Sequence, residues 1–354
     1  MKYIVKLNKA LTDEQSQTLK DLEVNIIYKS NLLPILGIET TCINKIMDLS
    51  FINYIRESRK GEFQEGSFLK NIIQFQPPVK RSLLISNGFT GWGNIKVAIL
   101  DSGINDEDNE LKVCESIDFT NTGMFDHKTH GTIVAKIIKT YASGANLYIA
   151  KVGKLNVDEI HIMKALEWAD SKKVDIINIS VGFPNKRKNL KNKACKGECE
   201  LCQLVNAISK RGIAIICAAG NNNKHLDSIN CPGNSQGALT VGAIDGNKGI
   251  ANYSSIGVPG IAKPNLVAPG NLYYDNAFIT GTSFAAPLIS GILGAILHRS
   301  GNITKATEYL YTTLDDLGVP KHEQGLGCLN VEKLVEVIIN ETPNFESEGQ
   351  NKSS

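Results

Sequence analysis

Four stretches of this chain are continuous apolar runs rather than alternating ones: Ile95–Leu100, Asn146–Val152, Asp175–Ser180 and Ile213–Ala218. Runs of that kind belong to parallel strands covered on both faces. Helical patterns separate them. His130–Thr140 is one, Leu201–Lys210 another, and Phe284–His298 is apolar nearly throughout. Asp158–Ser171 places Ile160, Met163, Leu166 and Trp168 among its core members. Strands alternating with helices predict an α/β domain on a parallel sheet.

The first sixty residues have a different rhythm. Tyr3–Leu7 alternates as a strand does. Thr12-Asp13-Glu14-Gln15 opens a helix, Thr12 as N-cap with Gln15 three residues on, which is a capping-box arrangement. Leu11, Leu19 and Leu22 form its apolar side. Val24–Tyr28 and Leu36–Thr40 read as strands, Thr41–Met47 as a second helix and Ile52–Glu57 as a last strand. The order β-α-β-β-α-β is ferredoxin-like. Glu57 to Lys80 is charged and closes on Pro-Pro, as a linker would. The expected division is a small α+β domain over 1–60, a linker over 61–82, a large α/β domain over 83–340 and a disordered tail over 341–354.

Composition narrows the partners. The 354 residues carry a net charge of only +2, which argues against nucleic acid or a membrane surface as a partner. Lys186-Arg187-Lys188, with Lys191 and Lys193, reads as a solvated loop. The N-terminus lacks the apolar stretch of a secretory signal. No segment reaches the ~20 apolar residues of a membrane span; the nearest, Leu288–Leu297, is short and contains glycine. A cytoplasmic location is expected, with export by another route left open.

Four short segments carry the chemistry: Val97-Ala98-Ile99-Leu100-Asp101-Ser102-Gly103, His130-Gly131-Thr132, Ala218-Ala219-Gly220-Asn221, and Gly281-Thr282-Ser283-Phe284-Ala285-Ala286-Pro287. Taken singly, each reads as a turn, a helix start, a strand exit or an N-cap. Together they supply a carboxylate, an imidazole, an amide and a hydroxyl. A serine hydroxyl needs a base, imidazole titrates near neutral pH, and the imidazole needs an orienting carboxylate. The developing oxyanion needs fixed donors. Ser283 is the candidate nucleophile, His130 the base and Asp101 its orienter. Asn221 and the Ser283 N–H are the candidate oxyanion donors.

With these motifs the chain resembles the subtilases, the subtilisin family of serine proteases, in which Asp, His and Ser occur in this order. The likeness runs from about Phe89 to Ile339. It includes Leu147–Val152, Asp175–Gly182, Leu239–Ala243 and Lys263–Gly270. It implies a three-layer α/β/α fold with a parallel central sheet, and a serine endopeptidase acting through an acyl-enzyme. It also implies that the ferredoxin-like segment is an inhibitory propeptide and the chain a self-inhibited precursor. Ser180-Val181-Gly182 and Ala219-Gly220 would wall the pocket for the residue before the scissile bond, with Asn230 near its floor. Gly153-Lys154-Leu155 would be the edge strand that pairs with substrate. The loop between Val152 and Asp158 is shorter than usual in the family, and Lys136 replaces a glycine usual after His-Gly-Thr-x-Val-Ala. The alternative from another class is a catalytically silent binding module on the same fold.

The cysteines add a separate question. Cys195-x3-Cys199-x2-Cys202 shares its spacing with the iron–sulfur triplet of radical-SAM enzymes, but that triplet belongs on a TIM-type barrel. Cys231 should lie close to it in the pocket-floor loop. A structural zinc at Cys195, Cys199, Cys202 and Cys231, disulfides, or reduced thiols are all open. Cys42, Cys114, Cys217 and Cys328 read as scattered small hydrophobes. No cofactor is expected for catalysis. Many subtilases bind calcium tightly between the helix after the catalytic His and the next strand. Here that connection, Lys139–Ala145, has no Asp, Glu, Asn or Gln, so the usual site is expected to be missing.

Overall fold

The computed structural model describes residues 1–64, 81–91, 94–106, 110–183, 195–246, 249–274 and 277–342. The basic cluster over residues 186–193, the rest of the linker and the tail lie outside them. The first elements are β1 (Lys2–Leu7), α1 (Asp13–Asp21), β2 (Asn25–Lys29), β3 (Ile35–Glu39), β4 (Ile52–Glu57) and β5 (Lys60–Phe63). There follow α2 (Arg81–Ser86), β6 (Lys96–Asp101), β7 (Val113–Asp118), α3 (His130–Tyr141), β8 (Asn146–Lys151), β9 (Val157–Asp158) and α4 (Glu159–Ser171). Next come β10 (Ile176–Ile179), β11 (Val181–Gly182), α5 (Glu200–Ser209), β12 (Ala214–Ala218), β13 (Ala238–Ile244) and β14 (Leu266–Pro269). The hairpin β15 (Asn271–Tyr274) and β16 (Ala277–Thr280) leads into α6 (Thr282–Ser300) and α7 (Ile303–Thr312). The chain closes with β17 (Leu314–Asp315), α8 (Lys321–Gln324), β18 (Cys328–Leu329) and α9 (Val331–Glu341).

The main sheet runs β17-β18-β14-β13-β12-β10-β6-β8-β7. Every pairing in it is parallel except β17 with β18. One face is covered by α3, α6, α7 and α9, where Val134, Ile138, Ile289, Ile292 and Ile296 meet Val97, Ile99 and Val241. The other is covered by α4 and α5, where Ile162, Leu166, Leu204 and Ile208 meet Ala98, Ile177 and Ile215. Both faces are therefore dry, as the unbroken apolar runs require.

The N-terminal lobe is a separate antiparallel sheet, β2-β3-β1-β4. Thr12 accepts from the Gln15 N–H and the Gln15 side chain accepts from the Thr12 N–H, so α1 begins on the expected capping box. The second helix expected over Thr41–Met47 is reduced to a 3-10 turn at Ile43–Lys45, whose N-cap Cys42 makes no side-chain cap bond. With β-branched Thr41 and Ile43 and no cap, that stretch lacks the means to propagate a helix.

The lobe docks on the N-termini of α4 and α5. Arg56 donates to Glu159 at 2.8 and 2.9 Å and to Glu200 at 2.7 Å. Arg59 donates to Glu159 at 2.9 Å. Both carboxylates are fully buried. Burial works to raise the Glu159 pKa, but Arg59 and Arg56 outweigh it and hold the carboxyl below its ordinary range. Ser58 and Lys60 reach Asp158, the N-cap of α4, at 2.8 and 2.9 Å. Removing Arg56 would leave two buried carboxylates short of a partner. Arg56→Ala should therefore destabilise the Ser283→Ala chain by roughly 3–5 kcal/mol in denaturant unfolding. A loss under about 1 kcal/mol would show the network to be solvated like a surface pair.

Candidate active site

Asp101 is the last residue of β6, and its carboxylate faces α3. Its Oδ1 accepts from the Ser102 N–H at 2.7 Å and lies 2.7 Å from His130 Nδ1. His130 is the first residue of α3 and is almost wholly buried. Gly131 explains how close the two elements come: a Cβ there would stand 2.4 Å from the Gly103 carbonyl oxygen. Thr129 has φ of 61° and gives α3 no side-chain cap. Asp126 takes that task, accepting from the Thr132 N–H and hydroxyl at 2.8 Å and from the Ser102 hydroxyl at 2.7 Å. Asp126 was not among the expected site residues. The signal for it was an Asp a few residues ahead of a helix start, where a carboxylate favours the N-terminal end.

Ser283 is the second residue of α6 and is fully buried. Its hydroxyl donates to the Ser180 carbonyl at 3.1 Å, so attack on a substrate requires it to leave that carbonyl. Rings pack around the imidazole: Phe63 at 5.2 Å between centroids and Phe284 at 5.8 Å. Asn221 is fixed by its Oδ1, which accepts from both the N–H and the hydroxyl of Thr282 at 3.0 Å. That leaves Asn221 Nδ2 buried without a hydrogen-bond partner among the described residues. A buried orphan donor is costly. Beside Ser283, the candidate nucleophile, it is also what a developing oxyanion would need.

The cleft already holds chain. β5 runs antiparallel between β9 and β11, with Lys60 opposite Asp158, Gly61 opposite Val157, Glu62 opposite Gly182 and Phe63 opposite Val181. Gln64 continues the strand, its N–H donating to the Ser180 carbonyl at 3.1 Å. Its own carbonyl accepts from the Ser283 N–H at 3.1 Å. The Gln64 side chain enters the expected pocket. Its Oε1 accepts from the Asn221 N–H and from Asn230 Nδ2, both at 3.1 Å, and its Nε2 donates to the Glu62 carbonyl at 2.7 Å. Asn222 donates to Asn230 Oδ1 at 2.9 Å, which aims the Asn230 amide nitrogen at Gln64. Gly182 and Gly220 make room: a Cβ on Gly182 would lie 2.7 Å from Asn230 Nδ2, and one on Gly220 2.9 Å from it.

Two expectations change. Residues 61–63, expected as the start of the linker, belong to strand β5, because β9 and β11 supply the hydrogen bonds that so short and charged a segment cannot supply alone. The edge that pairs with β5 is Val157–Asp158, not Gly153-Lys154-Leu155. Gly153 instead bridges back to Val157, and Leu155 is 64% exposed at the tip of that turn. Of the residues expected to line the pocket, Ser180, Val181, Gly182 and Asn230 lie against the β5 segment and Gln64, Gly220 lies against Asn230, and Ala219 accepts from the Asn230 N–H.

Residues 93–327 match the family model described as the subtilase family. The chain belongs to that family. Subtilisin DY from Bacillus licheniformis is 30% identical over 279 residues, covering 72% of this chain and 96% of the relative. M-protease from Shouchella clausii is 27% identical over 338 residues, covering 88% and 82%. A solved structure of the Epidermin Leader Peptide Processing Serine Protease from Staphylococcus aureus superposes with a TM-score of 0.73 at 19% identity, covering 95% of this chain and 99% of that one. The subtilase fold and a serine peptidase class follow. Among the described residues no helix is long and apolar enough to cross a membrane.

The loop that in many subtilases wraps calcium is here only residues 142–145, between α3 and β8. Lys139 Nζ donates to the Ser143 and Ala145 carbonyls at 2.6 and 2.9 Å, setting an ammonium on oxygens that a cation would want. Adding a calcium chelator should therefore shift the melting temperature by no more than about one or two degrees. A large drop reversed by calcium would reveal a site elsewhere. For the oxyanion, Asn221→Ala should leave folding intact and lower turnover by roughly 10²–10³. Unchanged turnover in steady-state peptide assays would remove Asn221 from the role.

Proposed function

We propose that this subtilase is a serine endopeptidase made as a self-inhibited precursor, and that it cuts itself between Gln64 and Glu65. The observation that carries the reading is the seating of Gln64. Its carbonyl accepts from the Ser283 N–H, and its side chain fills the pocket whose walls and floor the family motifs supply. Ser283 Oγ attacks that carbonyl carbon, and His130 takes the hydroxyl proton while Asp101 steadies the imidazolium. Asn221 Nδ2 and the Ser283 N–H hold the oxyanion. The Gln64–Glu65 bond breaks as His130 returns the proton to the Glu65 nitrogen. Water then releases the acyl group. The severed lobe stays docked through Arg56 and Arg59 as an inhibitor until it is removed.

The same contacts define a narrow substrate. The pocket offers two donors, the Asn221 N–H and Asn230 Nδ2, to one side-chain oxygen, and the Glu62 carbonyl accepts from the nitrogen beside it. Glutamine satisfies all three. Glutamate would set its second oxygen against that carbonyl, an acceptor against an acceptor, and the mismatch would select against it. Three residues upstream of Gln64, a Cβ on Gly61 would stand 2.6 Å from the Phe183 ring and 2.9 Å from the Gly182 carbonyl, so only glycine fits. Glu62 is exposed and sets no such demand. The favoured sequence is Gly-x-Phe-Gln before the scissile bond. Selection this tight fits dedicated processing better than general turnover.

Intact-mass measurement tests the reading. The wild-type chain should yield a mature species beginning at Glu65, and Ser283→Ala should keep its full mass. Gly61→Val, which drives a side chain into Phe183, should slow the conversion at least about tenfold. A mature N-terminus elsewhere, or an active enzyme still joined to Met1, would overturn it.

A further inference from the structure

Behind the pocket floor lies a cluster that the peptidase chemistry does not use. Cys195, Cys199, Cys202 and Cys231 come together with all four Sγ atoms within 4.8 Å of one another. Cys195 and Cys202 are 3.9 Å apart, and Cys199 and Cys231 are 3.8 Å apart. All four side chains are at most 4% exposed. From these positions we infer that the chain carries one structural zinc ion held by the four thiolates.

Tetrahedral geometry carries the argument. A zinc–sulfur distance of about 2.3 Å places the sulfurs of a tetrahedron about 3.8 Å apart. The Cys195–Cys202 and Cys199–Cys231 separations match, and every other pair lies within 4.8 Å. Two disulfides would instead gather the sulfurs into pairs at about 2.05 Å. Four cysteines serving as small hydrophobes have no reason to converge; Cys217, alone in β12, is the ordinary case. The backbone is shaped for the meeting. Gly197, between Cys195 and Cys199, has φ of +83°, and a Cβ there would lie 2.5 Å from the Asn234 carbonyl oxygen of the loop that carries Cys231. Cys199 is the N-cap of α5 and Cys202 lies in its first turn.

Charge is balanced nearby. Four thiolates around zinc leave two negative charges, and Arg59 donates to Cys199 Sγ at 3.4 Å. Binding displaces the thiol protons to solvent, so retention should weaken in acid. The ion would fasten the pocket floor. Cys231 follows Asn230 directly, and it exchanges two backbone hydrogen bonds with Phe183, at 2.9 and 3.0 Å, in the opposite wall. The closed four-sulfur set leaves no open position for a substrate, which makes the role structural rather than catalytic.

The test is elemental analysis of the untagged, purified wild-type chain together with thiol counting. One zinc per chain is expected, released stoichiometrically to a chromogenic chelator when a mercurial titrates the thiols. Cobalt substitution should give the thiolate charge-transfer band of a tetrahedral sulfur site. Cys202→Ser and Cys231→Ser should each lose the metal and lower the melting temperature similarly, whereas Cys114→Ser, exposed on β7, should keep it. Freely titrating thiols without metal, iron in place of zinc, or a denatured mass short by two hydrogens per bridge would each overturn the inference. These readouts stand apart from activity, so they hold whether or not Gln64 is the cleavage site.

Discussion

One hydrogen bond, from the backbone N–H of Ser283 to the carbonyl of Gln64, ties the N-terminal lobe to the reactive end of α6. It exists because three separate pieces of chain agree on one position. α6 begins at Thr282, and the N–H of its second residue, Ser283, reaches the Gln64 carbonyl. β9 and β11 hold Lys60–Phe63 as a strand between them. The buried pairs of Arg56 and Arg59 with Glu159 and Glu200 set how far along the cleft that strand reaches. Shift any of these and Gln64 no longer sits with its carbonyl on the helix and its amide in the pocket.

The parts legible in the sequence are those in which local chemistry and the fold agree. Asp101, His130 and Asn221 stand at the end of an apolar run or the start of a helix, near Gly103, Gly131 and Gly220, where a Cβ would lie 2.3, 2.4 and 2.8 Å from a neighbouring atom, and Ser283 stands at the start of α6. Tyr3–Leu7 was legible through its alternation, and α1 through Thr12 and Gln15. What escaped depends on distant partners. Lys60–Phe63 has no strand signature of its own and becomes one only between two edges. The edge that pairs with β5 is Val157–Asp158 because the short loop after Val152 folds Gly153 back onto Val157. Asp126 escaped because its role is to serve two neighbours, Ser102 and Thr132, that are far from it in motif terms. The pocket's preference could not be read from Asn230 alone, since Asn222 decides which way its amide points.

The pocket and the cysteine cluster share one loop. Asn230 donates to the Gln64 side chain, while the sulfur of Cys231, its neighbour, lies 3.8 Å from that of Cys199. In this chain a metal anchor just behind the floor would hold a selective pair of amide donors steady, and Arg59 would link that anchor to the docked lobe. Inhibition, selectivity and the stiffness of the pocket would then rest on overlapping residues.

The proposed specificity rests on the amide of Gln64 as the recognised group. Its most direct test is the ratio of kcat/KM for two peptides read by the mature enzyme, Gly-Glu-Phe-Gln and Gly-Glu-Phe-Glu, each joined to the same reporter amine. A pocket that turns two donors on one side-chain oxygen, while the peptide's own carbonyl takes the side-chain N–H, should prefer glutamine by at least about 10²-fold. Equal rates, or faster cleavage after glutamate, would contradict it.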